Sequence, residues 1–117
     1  MRLQVTSHRI DLTADLKDFV ARRIHFALGR FAGRIKALSV RLDDVNGPRE
    51  VMDKCCAIRV NVGHGGTLIV RERRESIYAA VACAVERAER AVQRQLSLER
   101  AAGKGPANSR VGFQFGS

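Results

Sequence analysis

Nowhere in its 117 residues does this chain hold an uninterrupted apolar run long enough to cross a bilayer. Its opening residues also lack the layout of a secretory signal. A soluble cytoplasmic protein with no membrane partner is therefore expected. Cysteine is scarce and odd in number, three in all, and Cys55 and Cys56 are neighbours in a stretch that alternates like a strand, where their side chains point to opposite faces. That argues against a disulfide framework and leaves reduced thiols as the expectation. No spaced Cys-x-x-Cys pair exists, and adjacent strand cysteines cannot both turn toward one ion. A zinc site built from Cys55, Cys56, His64 and Cys83 therefore lacks the geometry, and neither metal nor cofactor is expected. Acid is also short. Lys and Arg number 21 against 12 Asp and Glu, a formal net charge of +9, so the field around the protein is strongly positive and polyanions are its natural partners. The length suits one domain with a real core.

What is present alternates between two periods. Residues 2 to 6 put Leu3 and Val5 on one face and Arg2, Gln4 and Thr6 on the other, a half-buried strand. Thr13 then reads as an N-cap, with Asp15 in the favourable first turn, for a helix over 14 to 31 built on Leu16, Phe19, Val20, Ile24, Ala27, Leu28 and Phe31 and ended by Gly33. From Ile35 the period returns to two, with Leu38, Val40 and Leu42 inward, until Asn46-Gly47-Pro48 breaks the strand. Cys56, Ile58, Val60 and Val62 form a third inward row, Gly63-His64-Gly65-Gly66 a hairpin, and Thr67 to Arg71 the returning strand. A long second helix starts near Glu75, with Tyr78, Val81, Val85, Ala88, Val92 and Leu96 on one stripe. Gly103-Lys104-Gly105-Pro106 ends it, so the domain is expected over 1–102 and a flexible basic tail over 103–117.

The order βαβββα predicts an α+β fold: a four-stranded mixed sheet, its first two strands parallel through a right-handed crossover, with two helices packed on one face. Arg2, Gln4, Thr6, Ser39, Arg41, Arg59, Asn61 and Arg71 are left on the other face, which is polar and has no aromatic platform for stacking bases.

Nothing in this frame assembles an enzyme. His8, His25 and His64 fall at a strand end, on a helix and in the hairpin, and no spacing brings them to a thiol. The glycine-rich turn joins antiparallel strands and lacks the Lys-Ser/Thr of a phosphate-cradling loop, so no small-molecule substrate is expected. The arginines carry more. Arg87, Arg90 and Arg94 lie at i, i+3 and i+7 on the second helix, one row of guanidinium groups able to fork onto phosphates. The same row also reads as a solvated face with ordinary ion pairs such as Glu86 to Arg90. Arg22 and Arg23 project from one side of the first helix, Arg30, Arg34 and Lys36 cluster at its end, and Arg71, Arg73 and Arg74 lead into the second helix. Together they suggest a phosphate-tracking surface. Tyr78, the sole tyrosine, sits in the first turn of the second helix, where it could stack on a base; packing of its ring on the sheet, with the hydroxyl reaching water, is expected.

Two segments carry a family resemblance. Val5-Thr6-Ser7-His8-Arg9-Ile10-Asp11-Leu12-Thr13 resembles the opening of the ribosome hibernation promoting factor family, which includes the ribosome-associated inhibitor and sigma-54 modulation proteins. Ser76-Ile77-Tyr78-Ala79-Ala80-Val81 is similar to that family's Asp-Met-Tyr-Ala-Ala-Ile helix start. It continues through Arg87-Ala88-Glu89-Arg90-Ala91-Val92-Gln93-Arg94, similar to Lys-Leu-Glu-Arg-Gln-Leu-x-Lys. The resemblance implies a non-enzymatic domain that lodges on small-subunit ribosomal RNA in the decoding region, overlaps the messenger and transfer RNA sites and holds translation off. It assigns RNA contacts to Arg23, Arg87, Arg90 and Arg94; Arg22, Arg73 and Arg74 are added from charge alone. The chain departs from the pattern at Ser7, where glycine is usual, at the first helix end, a residue longer, and at Arg71-Glu72-Arg73-Arg74, where the family is acidic. Longer members add a C-terminal domain that pairs ribosomes, and this chain resembles the short form. Two other readings of the residues stay open: a regulatory module that binds a transcription component, and a general double-stranded RNA binder.

Overall fold

The computed structural model describes residues 1–44 and 54–101, the side chain of Gly65 excepted. Within them β1 (Arg2–His8), α1 (Ala14–Leu28), β2 (Ala37–Asp44), β3 (Lys54–Asn61), β4 (Thr67–Arg74) and α2 (Ile77–Ala101) follow one another, with short 3₁₀ turns at Gly29–Phe31 and Gly63–Gly65. The strands lie in the order β1-β2-β3-β4, β1 parallel to β2 and the other neighbours antiparallel. This is the α+β arrangement that the alternating periods predict.

Alternation fixes the register. Leu38, Val40 and Leu42 of β2 face Val60, Ile58 and Cys56 of β3, while Val60 and Ile58 face Leu68 and Val70 of β4. All are buried, so a one-residue slip would turn the whole apolar layer to water. Onto that layer α1 sets Leu16, Val20, Ile24, Ala27 and Leu28, and α2 sets Ala80, Val81, Ala84, Val85, Ala88, Val92 and Leu96. The small side chains at 80, 84 and 88 let the axis of α2 approach the sheet. The Thr13 hydroxyl accepts from the Leu16 N–H at 3.1 Å, and the Ser76 hydroxyl accepts from the Tyr78 and Ala79 N–H groups at 3.1 and 3.3 Å, so both helix starts are capped.

Because β1 and β4 run the same way, the helices that follow them return the same way and lie side by side. Phe19 meets Tyr78 across the seam and Arg30 meets Glu89 one helical stretch further on, at the same sequence separation.

Several ends differ from the sequence reading, each for a pairing reason. Parallel pairing carries β1 on to His8, opposite Asp43. The first helix stops at Leu28, because the chain tightens into the 3₁₀ turn and the Arg34 and Ile35 N–H groups both return to the Phe31 carbonyl. Strand β2 starts at Ala37, not Ile35, and α2 at Ile77, with Ser76 as its cap. Strand β4 runs three residues past Arg71, since its ladder with β3 continues to Arg74 opposite Lys54. The hairpin needs its glycines: Gly63 and Gly66 have φ of 71° and 90°, which side chains rarely adopt. The expected break at Asn46-Gly47-Pro48 and the expected tail over 103–117 lie outside the described residues. No helix of the described residues is long and apolar enough to cross a membrane.

Candidate nucleic-acid interface

A surface that binds phosphates needs guanidinium groups held on rigid elements and free to leave any partner they have. Arg22, Arg23, Arg90 and Arg94 meet the first condition, all exposed on the two helices that the buried stripes above fix against the sheet. Arg22 donates to Asp18 at 3.0 Å one turn earlier. Arg23 lies over the Phe19 ring, 5.8 Å from its centre, and Phe19 in turn packs edge-on against Tyr78 at 4.8 Å, so Arg23 belongs to the seam between the helices. Arg90 reaches Glu86 only at 4.0 Å. Arg94 has no hydrogen bond or ion pair among the described residues. Pairs this exposed contribute about 0–1 kcal/mol each, so a phosphate can take the arginine at little cost.

The other three expected contacts are placed differently. Arg87 does not stand free in its row: it donates to Glu72 at 2.7 Å and to the Arg71 carbonyl at 3.3 Å, strapping α2 to β4. Arg74 donates to the other oxygen of the same carboxylate at 2.7 Å. Hydrogen bonding from Arg87, and then from Arg74, holds the Glu72 carboxyl below its ordinary value against the opposing effect of burial, so it stays charged and keeps both guanidinium groups. Arg73 alternates to the opposite side of the strand, where it shares the open face of the sheet with Arg71 and lies opposite Cys55. Arg71, Arg73 and Arg74 therefore do not lead into the helix as one basic cluster. They belong to a strand, and strand alternation divides them between two faces. At the far end of the helix pair Arg30 holds Glu89 at 3.0 Å and Arg34 holds Glu99 at 2.7 Å.

One exposed residue was missed. Phe26 is 92% exposed on α1, one turn from Arg22 and Arg23 and one turn before Arg30. Its signal is in the sequence: it falls off the stripe Leu16, Val20, Ile24 and Ala27, so helical periodicity turns it to water. Leaving a phenylalanine there forgoes about 1.5–3 kcal/mol of burial. An aromatic ring among guanidinium groups is the composition that stacks unpaired bases. Tyr78 does not pack into the core as expected: its ring stays exposed and meets Phe19 of the neighbouring helix edge-on, because its place in the first turn of α2 turns it to the seam between the helices rather than to the sheet.

Neither Cys55 nor Cys56 is activated. Burial pushes Cys56 up to about 12 and raises Cys55 as well, with Arg73 opposing. His8 lies in the same cross-strand row as Cys55, but Asp43 stands between them, its Oδ1 3.4 Å from the imidazole without a hydrogen bond to it. The backbones of His8 and Cys55 are thus two strand spacings apart, about 9.6 Å, with the Asp43 strand between them.

The sequence matches the family model described as sigma 54 modulation protein / S30EA ribosomal protein over residues 3–97. No curated protein matches it at a significant level. Among solved structures, the Thermus thermophilus Protein Y N-terminal domain superposes with a TM-score of 0.66 at 22% identity, covering 80% of this chain and 98% of its own. A ribosomal subunit interface protein from Coxiella burnetii gives 0.66 at 18% identity, covering 86% of this chain and 99% of its own. Identities this low speak for the fold, while the family match spans nearly all of the described structure: the chain belongs to the sigma 54 modulation protein / S30EA ribosomal protein family.

Proposed function

We propose that this protein is a ribosome-associated translation inhibitor, a hibernation factor of the cytoplasm, that binds small-subunit ribosomal RNA in the decoding region and so keeps messenger and transfer RNA out. The observation that carries this reading is the outer surface of the helix pair. There Arg22, Arg23, Arg90 and Arg94 are exposed on two rods backed by one core, with Phe26 one turn from Arg22 and Arg23. Arg87 adds a contact at the β4 side when phosphate competes with Glu72 for its guanidinium. Arg74 is a weaker contributor for the same reason, and Arg73 serves only RNA that reaches the open sheet face. Family membership supports the ribosome as partner, as does the fold shared with a ribosomal subunit interface protein. Binding of this kind blocks by occupancy and needs no covalent step.

The test is co-sedimentation with purified small ribosomal subunits. The protein should pellet at low salt, and six to ten phosphate contacts would cost about 10³–10⁵ in affinity between 50 and 200 mM salt. Protein that stays at the top of a low-salt gradient contradicts the proposal. Equal competition by arbitrary duplex RNA would assign it instead to general double-stranded RNA binding.

A further inference from the structure

The open face of the sheet, away from both helices, gathers a group of unpaired arginines of its own. Strand alternation sends Arg41 of β2, Arg59 of β3 and Arg71 of β4 to this side, and register places them together. Arg41 and Arg71 flank Ala57 in one cross-strand row, about 9.6 Å apart. Arg59 stands one row further along the middle strand, about 7–8 Å diagonally from each. All three are exposed, as is Arg2 at the β1 edge. Ala57 and Ser39 leave a low floor between them.

The contrast with most arginines of the helical layer, though not with Arg23 and Arg94, is one of partners. On that layer Arg22, Arg30, Arg34, Arg87 and Arg90 each have a carboxylate within 4.0 Å. On the open face Arg2, Arg41, Arg59 and Arg71 form no ion pair among the described residues. The one carboxylate that the described strands place there, Asp43, lies beside His8 at an end of the sheet, 3.4 Å away, and forms no ion pair with these arginines. Like charges gathered on neighbouring strands repel one another and cost stability, which a bound polyanion reverses. Beside them a shallow cavity of about 590 Å³ is lined by Arg2, Gln4, Ser39, Arg59, Asn61 and Thr67 among others. Its amides and hydroxyls both donate and accept, which suits a ribose 2′-hydroxyl.

We infer that the open sheet face is a second RNA-binding surface, with Arg41, Arg59 and Arg71 gripping the phosphate backbone and the polar recess beside them taking the sugars. A protein partner fits less well, because the face lacks the aromatic anchors around which protein interfaces build their affinity. With RNA on the helices as well, the chain is clamped between two RNA segments. The inference goes beyond the function proposed above and stands without it.

The probe is a 20-nucleotide oligo-uridine, followed by fluorescence anisotropy between 50 and 200 mM salt, with small-subunit co-sedimentation in parallel. Changing Arg41, Arg59 and Arg71 together to Gln should lower oligo-uridine affinity at least about tenfold and flatten the salt dependence by about two log units per log unit of salt, at roughly 0.7 for each lost single-strand contact. The matching Lys triple should keep the slope, and Arg59→Glu alone gives the same loss should the Gln triple fold poorly. Unchanged affinity and slope overturn the inference. So does poly-glutamate that competes as well as RNA of equal length, since that would mark a site for acidic protein. Wild-type protein that ignores small subunits yet binds oligo-uridine through this triple would remove the proposed function and leave the inference standing.

Discussion

Small ribosomal subunits should bind the Arg87→Gln, Arg90→Gln, Arg94→Gln triple variant about 100-fold more weakly than the unaltered protein, at about 1 kcal/mol for each charged contact removed. The three positions are not equivalent. Arg94 has no partner to leave, and Arg90 leaves only a contact at 4.0 Å to Glu86, so both are available to phosphate at once. Arg87 must first give up Glu72. A single Arg87→Gln change should therefore weaken binding least, while loosening the strap between α2 and β4. Glu72 retains Arg74 in that variant, so the thermal midpoint should move by only a few degrees, as expected for loss of about 0–1 kcal/mol. Subunit affinity and thermal unfolding measured side by side separate the two roles. Undiminished affinity in the triple variant would return the row to an ordinary ion-paired helix surface.

The second large effect concerns the backing. Ile58→Ala should destabilise the protein by about 2–5 kcal/mol, since the site cannot fully collapse around the lost atoms. Ile58 is fully buried on β3, between Val40 and Val70 on the neighbouring strands and under the helical layer. Denaturant unfolding reads the loss directly, and a change below about 0.5 kcal/mol would contradict this placement of the core. If the helices present their arginines only because the sheet fixes them, subunit binding by this variant should fail at temperatures where the unaltered protein still binds.

Both expectations rest on a fold that was largely legible, because the residues that specify it are local. Leu38, Val40 and Leu42 announce a strand by period two, Leu16, Val20 and Ile24 a helix by period 3.6, and Thr13 marks a start by its hydroxyl. The ends were less legible where a partner strand sets them. Arg73 and Arg74 read as a lead-in to the helix, but the ladder with Lys54 and Cys55 keeps them in β4. Once they are in a strand, alternation sends them to opposite faces. The site was legible as charge and not as geometry. That Arg87 and Arg74 share Glu72, or that Arg30 reaches Glu89, depends on how α2 crosses β4 and α1, which no spacing in the sequence encodes. Phe26 is the reverse case: the period already excluded it from the core, and only attention to what the stripe omits would have found it.

Central to the account is that the outer faces of α1 and α2 rest on ribosomal RNA. A density map of the protein bound to the small ribosomal subunit tests this most directly. The account expects Arg23, Arg90 and Arg94 within salt-bridging distance of phosphates in the decoding region, with Phe26 against a base. A map that leaves those helices facing solvent or a ribosomal protein, with RNA elsewhere, would contradict it.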